Sequence, residues 1–162
     1  MTGIPNRTGM LTKLREQQAL VKGQVRPCAV AMMDLDHFKD INDKYGHVIG
    51  DKVLIAFAHY VAEHLRPYDK VFRYGGEEFL LLFPDTELRE ANEIIERLRK
   101  DLSSLEHRAH GEEIFHVNVS FGLTLMDPDA PVQVSVDRAD KALYAAKAAG
   151  RNRTINWDAS MH

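Results

Sequence analysis

Four carboxylates carry the pattern in this sequence that could do chemistry. Glu77 and Glu78 follow directly on Gly75 and Gly76 in the stretch VFRYGGEEFLLLF. Asp34 and Asp36 lie at the end of the apolar run CAVAMMDL, where DLDHFKDINDKY begins. Adjacent carboxylates in a tight turn repel each other, which makes them poor choices for a purely structural loop. A cation removes that objection, and glycines without side chains let a phosphate or a base come close. If the strand that ends at Asp34 lies beside the hairpin that carries Glu77, both acids project from one sheet edge. Two such acids and a backbone carbonyl form an oxygen-rich set suited to Mg²⁺ or Mn²⁺, with substrate phosphates completing the shell. The alternatives are a solvated acidic hairpin tip and a plain solvated loop after the strand, and short patterns leave both open.

Other ion and phosphate motifs fail on inspection. DLDHFKDINDKY is not an EF-hand loop: Phe38 takes the fifth position, Lys39 replaces the turn glycine and Tyr45 replaces the bidentate acid. GHVIGDK lacks the Gly-Lys-Ser/Thr of a P-loop, and no G-x-G-x-x-G occurs. Any nucleotide handled here is held through acids and metal, not through a glycine-rich cradle.

The elements that must position these acids follow from periodicity. Met1 to Thr8 reads as a turn, with Thr8 capping a helix through Leu11, Leu14, Ala19 and Leu20 that Gly23 ends before Pro27. Cys28 to Leu35 is a continuous apolar run, the mark of a strand buried on both faces. His37 to Tyr45 reads as a short helix stopped by Gly46, and Gly50-Asp51 opens a longer one through Leu65. Val71–Tyr74 and Phe79–Phe83 form a hairpin about the glycine pair. Thr86 caps a helix from about Glu87 to His107, and His107 to Glu113 is a polar loop. Ile114 to Met126 alternates as one strand. Val132 to Ala149 is the last long helix, and Arg151 to Trp157 a closing strand. This order gives an α/β (α+β) fold with a central mixed, mostly antiparallel sheet flanked by helices, not a doubly wound parallel one.

The 162 residues suit one domain with a sizeable core. A formal net charge of -3 argues against a general basic surface for nucleic acid. The single cysteine, Cys28, excludes an internal disulfide, reads as a small core residue and fits a reducing, cytoplasmic setting. No run approaches the length of a membrane span, and the N-terminus is not a signal peptide.

RYGGEEF resembles the signature loop of the GGDEF family of diguanylate cyclases, in its GGEEF form. Four further stretches fit that family in order: TGIPNR, MDLDHFKDINDKYGHVIGD, VNVSFGLTL and RADKALYAAKAAGRNR. The resemblance covers nearly the whole chain, residues 1–162, as one GGDEF-type catalytic domain with no sensory domain. It implies a nucleotide-cyclase or polymerase palm fold. It implies that Asp34, Glu77 and the carbonyl of Leu35 bind Mg²⁺ or Mn²⁺, two ions per half-site. Glu78 matches a position tied to metal binding or general base function. Asn42 and Asp51 match the guanine readers; Asp51 also reads as a helix N-cap. Lys39, Lys147 and Arg151 match the triphosphate contacts, and Lys147 and Arg151, four apart, are expected on one helix face. As solvated cations near a helix C-terminus they would be unremarked. The amides of His37 and Phe38 form a phosphate seat, and Gly75 and Gly76 a close approach.

The implied reaction condenses two GTP to cyclic di-GMP with release of two pyrophosphates. One domain supplies half of that arrangement, so a homodimer with facing sites is implied. Arg66-Pro67-Tyr68-Asp69 fits the family's R-x-x-D site for inhibition by the product, with Arg97 contributing from a second protomer. A sensory or regulatory domain or partner is expected upstream. A receptor without catalysis and a dimerising module with decorative acids are the competing readings. The first need not keep metal ligands, and the second predicts no Mg²⁺-dependent GTP binding.

Overall fold

The computed structural model describes residues 4–24 and 26–161. In chain order the elements are α1 (Arg7–Gln24), β1 (Cys28–Leu35), α2 (Phe38–Tyr45), α3 (His47–His64), β2 (Lys70–Gly75) and β3 (Glu78–Pro84). There follow α4 (Leu88–Ser103), β4 (His107–Ala109), β5 (Glu113–Phe115), β6 (Val119–Leu125), α5 (Val132–Ala148) and β7 (Thr154–Asn156). The central sheet runs β2-β3-β1-β6-β7. Its pairings are antiparallel except for β6 with β7, so it is mixed and mostly antiparallel, as expected.

All eight residues of β1, the middle strand, are buried. Alternation along it divides the core in two. Ala29, Ala31, Met33 and Leu35 face the cluster with Phe57 of α3 and Ile95 of α4. Cys28, Val30 and Met32 face the cluster with Met10 and Leu14 of α1 and Val136 and Leu143 of α5. Period two therefore sends Asp34, in register with the even residues, toward the α5 face. The fully buried Phe57, Phe79, Phe83 and Phe121 each contribute roughly 1.5–3 kcal/mol by leaving water.

Gly122, opposite Met32 on β6, sets how closely α5 sits. A Cβ there would lie 2.1 Å from the Ala139 carbonyl oxygen and 2.2 Å from the Leu143 amide nitrogen. Only a residue without a side chain lets the helix backbone rest on the strand at this point.

Several sequence expectations change. The part of the opening turn at residues 1–3 lies outside the described residues. Helix α1 begins at Arg7, and Asn6 rather than Thr8 supplies the capping oxygen: Asn6 Oδ1 accepts the Thr8 amide at 3.1 Å. Gly23 lies inside α1 and does not end it. Helix α3 starts at His47 behind Gly46, whose φ of 90° only glycine adopts readily, so Asp51 sits within the helix and is not its cap. Thr86 does not cap α4: its hydroxyl donates to the Pro84 carbonyl at 2.8 Å, and Glu87 precedes the helix without a side-chain cap. Helix α4 ends at Ser103, short of His107. The polar loop after it is half strand, because β4 and β5 pair as a small hairpin. The long strand expected over Ile114 to Met126 is divided: β5 belongs to that hairpin, and β6 begins only at Val119, beside β1. Alternation runs through both pieces and does not reveal that they pair with different partners.

Candidate active site

The acids gather at the sheet edge where β1 ends and the β2–β3 hairpin turns. Asp34 stands opposite Glu78 in the β1–β3 register, and Glu77 lies in the turn just before β3. Gly76 has a φ of 25°, and its carbonyl accepts two hydrogen bonds from Arg73, at 3.1 Å from Nε and 2.6 Å from Nη2. The guanidinium thus closes the hairpin and leaves the side of Gly75 open, with nothing within 4 Å of where a Cβ would stand.

A cleft of about 190 Å³ opens on this edge. Asp34, Leu35 and Glu77 line it, together with His37, Phe38, Lys39, Lys147 and Arg151. These come from three separated stretches of the chain, 34–39, the hairpin turn at Glu77, and 147–151. Asp40 lines it too, and sequence reasoning did not single it out. Its side chain lies 3.5 Å from His37 Nδ1, on the exposed rim. His37 itself has a φ of 56° and precedes Phe38 at the start of α2, so the chain turns there into a helix whose first residues, Phe38 and Lys39, line the cleft.

The electrostatics are those of crowded acids. Asp34 is only 2% exposed; Lys147 Nζ pairs with its Oδ2, while its Oδ1 is buried with no partner. Burial pushes the Asp34 carboxyl above the usual range, the hydrogen bond and charge of Lys147 pull it back, and Asp36 pushes it up again. Burial outweighs the ion pair. Burial and then the charge of Asp34 raise Glu77. Burial, Asp34 and Asp140 of α5 raise Glu78. Three carboxylates that resist ionising together, one with a free buried oxygen, fit a hard cation. Among the described residues, no three His, Cys, Asp or Glu side chains converge to hold an ion alone.

Asn42 and Asp51 stand apart from the cleft lining but near each other. A Cβ on Gly50 would fall 1.9 Å from Asn42 Oδ1 and 3.2 Å from Phe38 Cζ. The Asn42 amide therefore lies on the first turn of α3, one residue from Asp51. Lys147 and Arg151 do not share a helix face. Helix α5 ends at Ala148, and Arg151, with a φ of 65°, enters the cleft from the loop beyond.

A second cleft, of about 270 Å³, is lined by Arg66, Asp69 and Arg97 within the single chain. Arg66 is already engaged. Its Nε and Nη2 donate to the buried Asp69 carboxylate, each at 2.9 Å, and Nη2 also donates to Thr86 Oγ1. Nη1 reaches Glu90 at 3.5 Å.

Residues 1–153 match the family described as "Diguanylate cyclase, GGDEF domain". The chain belongs to the GGDEF-domain family. Response regulator PleD of Caulobacter vibrioides is 42% identical over 161 residues, spanning 96% of this chain and 35% of that protein. Diguanylate cyclase DgcP of Pseudomonas aeruginosa is 38% identical over 153 residues, spanning 94% of this chain and 23% of that protein. The chain thus covers only a minor part of either relative. Among solved structures, the Pseudomonas aeruginosa diguanylate cyclase SiaD, in complex with its activator SiaC, superposes with a TM-score of 0.92 at 40% identity. That match covers 96% of this chain and 59% of SiaD. The GGDEF domain of DgcB from Caulobacter crescentus, in complex with c-di-GMP, gives 0.90 at 32% identity, covering 94% and 88%. As in these GGDEF domains, helices flank a mostly antiparallel sheet.

Proposed function

We propose that this GGDEF domain is a diguanylate cyclase that joins two GTP into cyclic di-GMP at a site completed by a second copy of itself. The observation that carries the reading is the buried Asp34, with one free oxygen, beside Glu77 in a cleft rimmed by Lys39, Lys147 and Arg151. Asp34, Glu77 and the Leu35 carbonyl would hold Mg²⁺ or Mn²⁺, two ions per half-site. Bound there, the ions would lower the pKa of the attacking hydroxyl and neutralise the leaving pyrophosphate.

The chain's own residues do the rest. Lys39, Lys147, Arg151 and the amides of His37 and Phe38 seat the triphosphate. Gly75 and Gly76 let it approach the hairpin. Asn42 and Asp51 read guanine; an Asp accepts from N1 and N2, and an Asn serves O6 or N3. The 3′-hydroxyl of one GTP attacks the α-phosphorus of the other, pyrophosphate departs, and the hydroxyl proton passes to a base. Glu78 suits that role, since a carboxyl raised by burial and by the charge of Asp34 takes a proton with better driving force. One chain holds one such set, so two must face each other for both bonds to form.

Cyclic di-GMP would feed back at the Arg66, Asp69 and Arg97 cleft. The c-di-GMP complex of the related DgcB domain supports the ligand class. The SiaC complex of SiaD supports control by a separate activator or an upstream module. Among the described residues no helix is long and apolar enough to cross a membrane. Action on GTP in the cytoplasm is part of the proposed reading.

The test is incubation with GTP and Mg²⁺ across a protein dilution series, with Glu77→Ala as control and chromatography of the products. Cyclic di-GMP from the parent alone, rising faster than linearly with protein, is expected. Linear activity down to dilutions monomeric by light scattering would refute the shared site. Metal-dependent GTP binding without product at any concentration would instead mark a receptor.

A further inference from the structure

Asp36 sits two residues beyond Asp34 on the same chain edge but does a different job. It is 5% exposed, and both its oxygens are used. Oδ1 accepts the hydroxyl of the fully buried Ser120 at 2.7 Å. Oδ2 accepts the backbone amide of Asn152 at 2.9 Å. The same amide lies 3.0 Å from Ser120 Oγ, so one N–H is shared between the carboxylate and the hydroxyl.

The residue held this way follows Arg151 directly. Arg151 and Asn152 have φ values of 65° and 49°, two consecutive left-handed residues without glycine. Such a backbone persists only where its surroundings over-determine it. Four partner residues do so here. The Arg151 amide donates to the Ala146 carbonyl at 2.9 Å, which closes the end of α5. Asp36, just past the end of β1, and Ser120 of β6 grip the Asn152 amide. Arg99 of α4 donates to the Asn152 carbonyl at 3.2 Å and to its Oδ1 at 2.8 Å. The loop is fixed at its backbone on both sides, and the Arg151 side chain is the part left to enter the cleft.

We infer that Asp36 and Ser120 are positioning residues for Arg151: they clamp the Asn152 amide and so aim the guanidinium at the phosphate end of the cleft. The inference rests on the reading of that cleft as a GTP site. It also assigns the two acids of the Asp-x-Asp pair separate tasks, Asp34 to the ion and Asp36 to the loop that brings a cation.

The experiment is a double-mutant cycle on binding of a GTP analogue with an α-phosphorothioate, in Mg²⁺, by titration calorimetry. Ser120→Ala and Asp36→Asn are each expected to weaken binding about tenfold, of the order of other networked couplings. In an Arg151→Ala background Ser120→Ala should cause no further loss, while with Asn42→Ala its loss should add in full. Additive losses with Arg151→Ala would overturn the inference. A second readout needs no ligand: hydrogen exchange of the Asn152 amide in the folded protein. Ser120→Ala should speed it at least about tenfold, as expected when a buried bond is lost, whereas unchanged exchange in both variants would remove the clamp. If the parent fails to bind the analogue, the GTP reading falls and the aiming of Arg151 at phosphate falls with it. Amide exchange would still decide whether Asp36 and Ser120 hold the loop.

Discussion

Lys147 Nζ sits on one oxygen of Asp34 and leaves the other buried without a partner. The lysine comes from the last turn of α5 and the acid from the end of β1. The pair therefore ties the helix to the strand at the point where an ion would bind. The helix can reach that point because Gly122 lets it rest on β6.

Removing the lysine should expose how far the acid depends on it. Lys147→Met leaves a nearly inaccessible carboxylate without its ion-pair partner. A fully buried pair broken this way costs more, but the Lys147 side chain is 30% exposed, so about 1–3 kcal/mol is expected. Mg²⁺ should then raise the melting temperature of this variant more than that of the parent. Equal metal responses in thermal melts would show that the ion does not use Asp34.

The raised carboxyl of Glu77 gives a signed pH dependence. A carboxyl held above its unfolded value stabilises the fold below the ordinary carboxylate range, and that contribution is lost as pH rises through the raised value. The share of ligand-free stability that Glu77 contributes should therefore fall between the acid range and neutrality. Glu77→Gln should flatten that slope and stabilise the apo protein at pH 7. Binding of Mg²⁺ has the opposite sign, because it needs the ionised group, and should weaken on acidification. Urea titrations at several pH values check both; a slope unchanged in Glu77→Gln would assign the dependence elsewhere.

Gly50→Ala tests the placement of Asn42. The new Cβ would fall 1.9 Å from Asn42 Oδ1, so the amide must move. A loss of about tenfold in GTP affinity, near the lower end for one mis-set polar contact, is expected with the fold intact. Discrimination between GTP and ATP should narrow. Selectivity equal to the parent's would mean that Asn42 does not read the base.

Arg66→Ala should abolish product inhibition, but at a cost in stability. It strips the buried Asp69 of its guanidinium, a loss of about 1–3 kcal/mol. Arg97→Ala is the cleaner arm. Arg97 lines the same cleft, and as a surface substitution it should stay within about 0.5 kcal/mol of the parent. Inhibition curves with added cyclic di-GMP, together with melts, separate the two effects. Undiminished inhibition in both variants would place the inhibitory site elsewhere.

Gly122→Ala is the structural counterpart. Its Cβ would meet helix backbone, which cannot swing aside as a side chain can. Destabilisation of about 3 kcal/mol is expected from such overpacking, measured by urea unfolding. A near-neutral result would show that α5 can lift off β6.

Much of the site was written in local sequence. The Gly-Gly pair between apolar runs specified the hairpin, and the apolar run ending at Asp34 specified a strand buried on both faces. Those patterns are local because turn chemistry and period two act over a few residues. Asp34, Leu35, Glu77, Lys39, Lys147 and Arg151 were legible as a set only through the ordered motifs of the family, and the fold places all six around one cleft. What the tertiary structure alone decided are relations between distant segments. Alternation ran unbroken from Ile114 to Met126, yet β5 and β6 pair with different strands, since pairing depends on partners that periodicity does not name. Spacing of four put Lys147 and Arg151 on one helix face, but the helix ends between them, and Arg151 enters from a left-handed loop. The grip of Asp36 on Asn152 spans 116 residues of chain and left no mark in either segment, because a buried carboxylate finds its donors only once the sheet and α5 have closed over it.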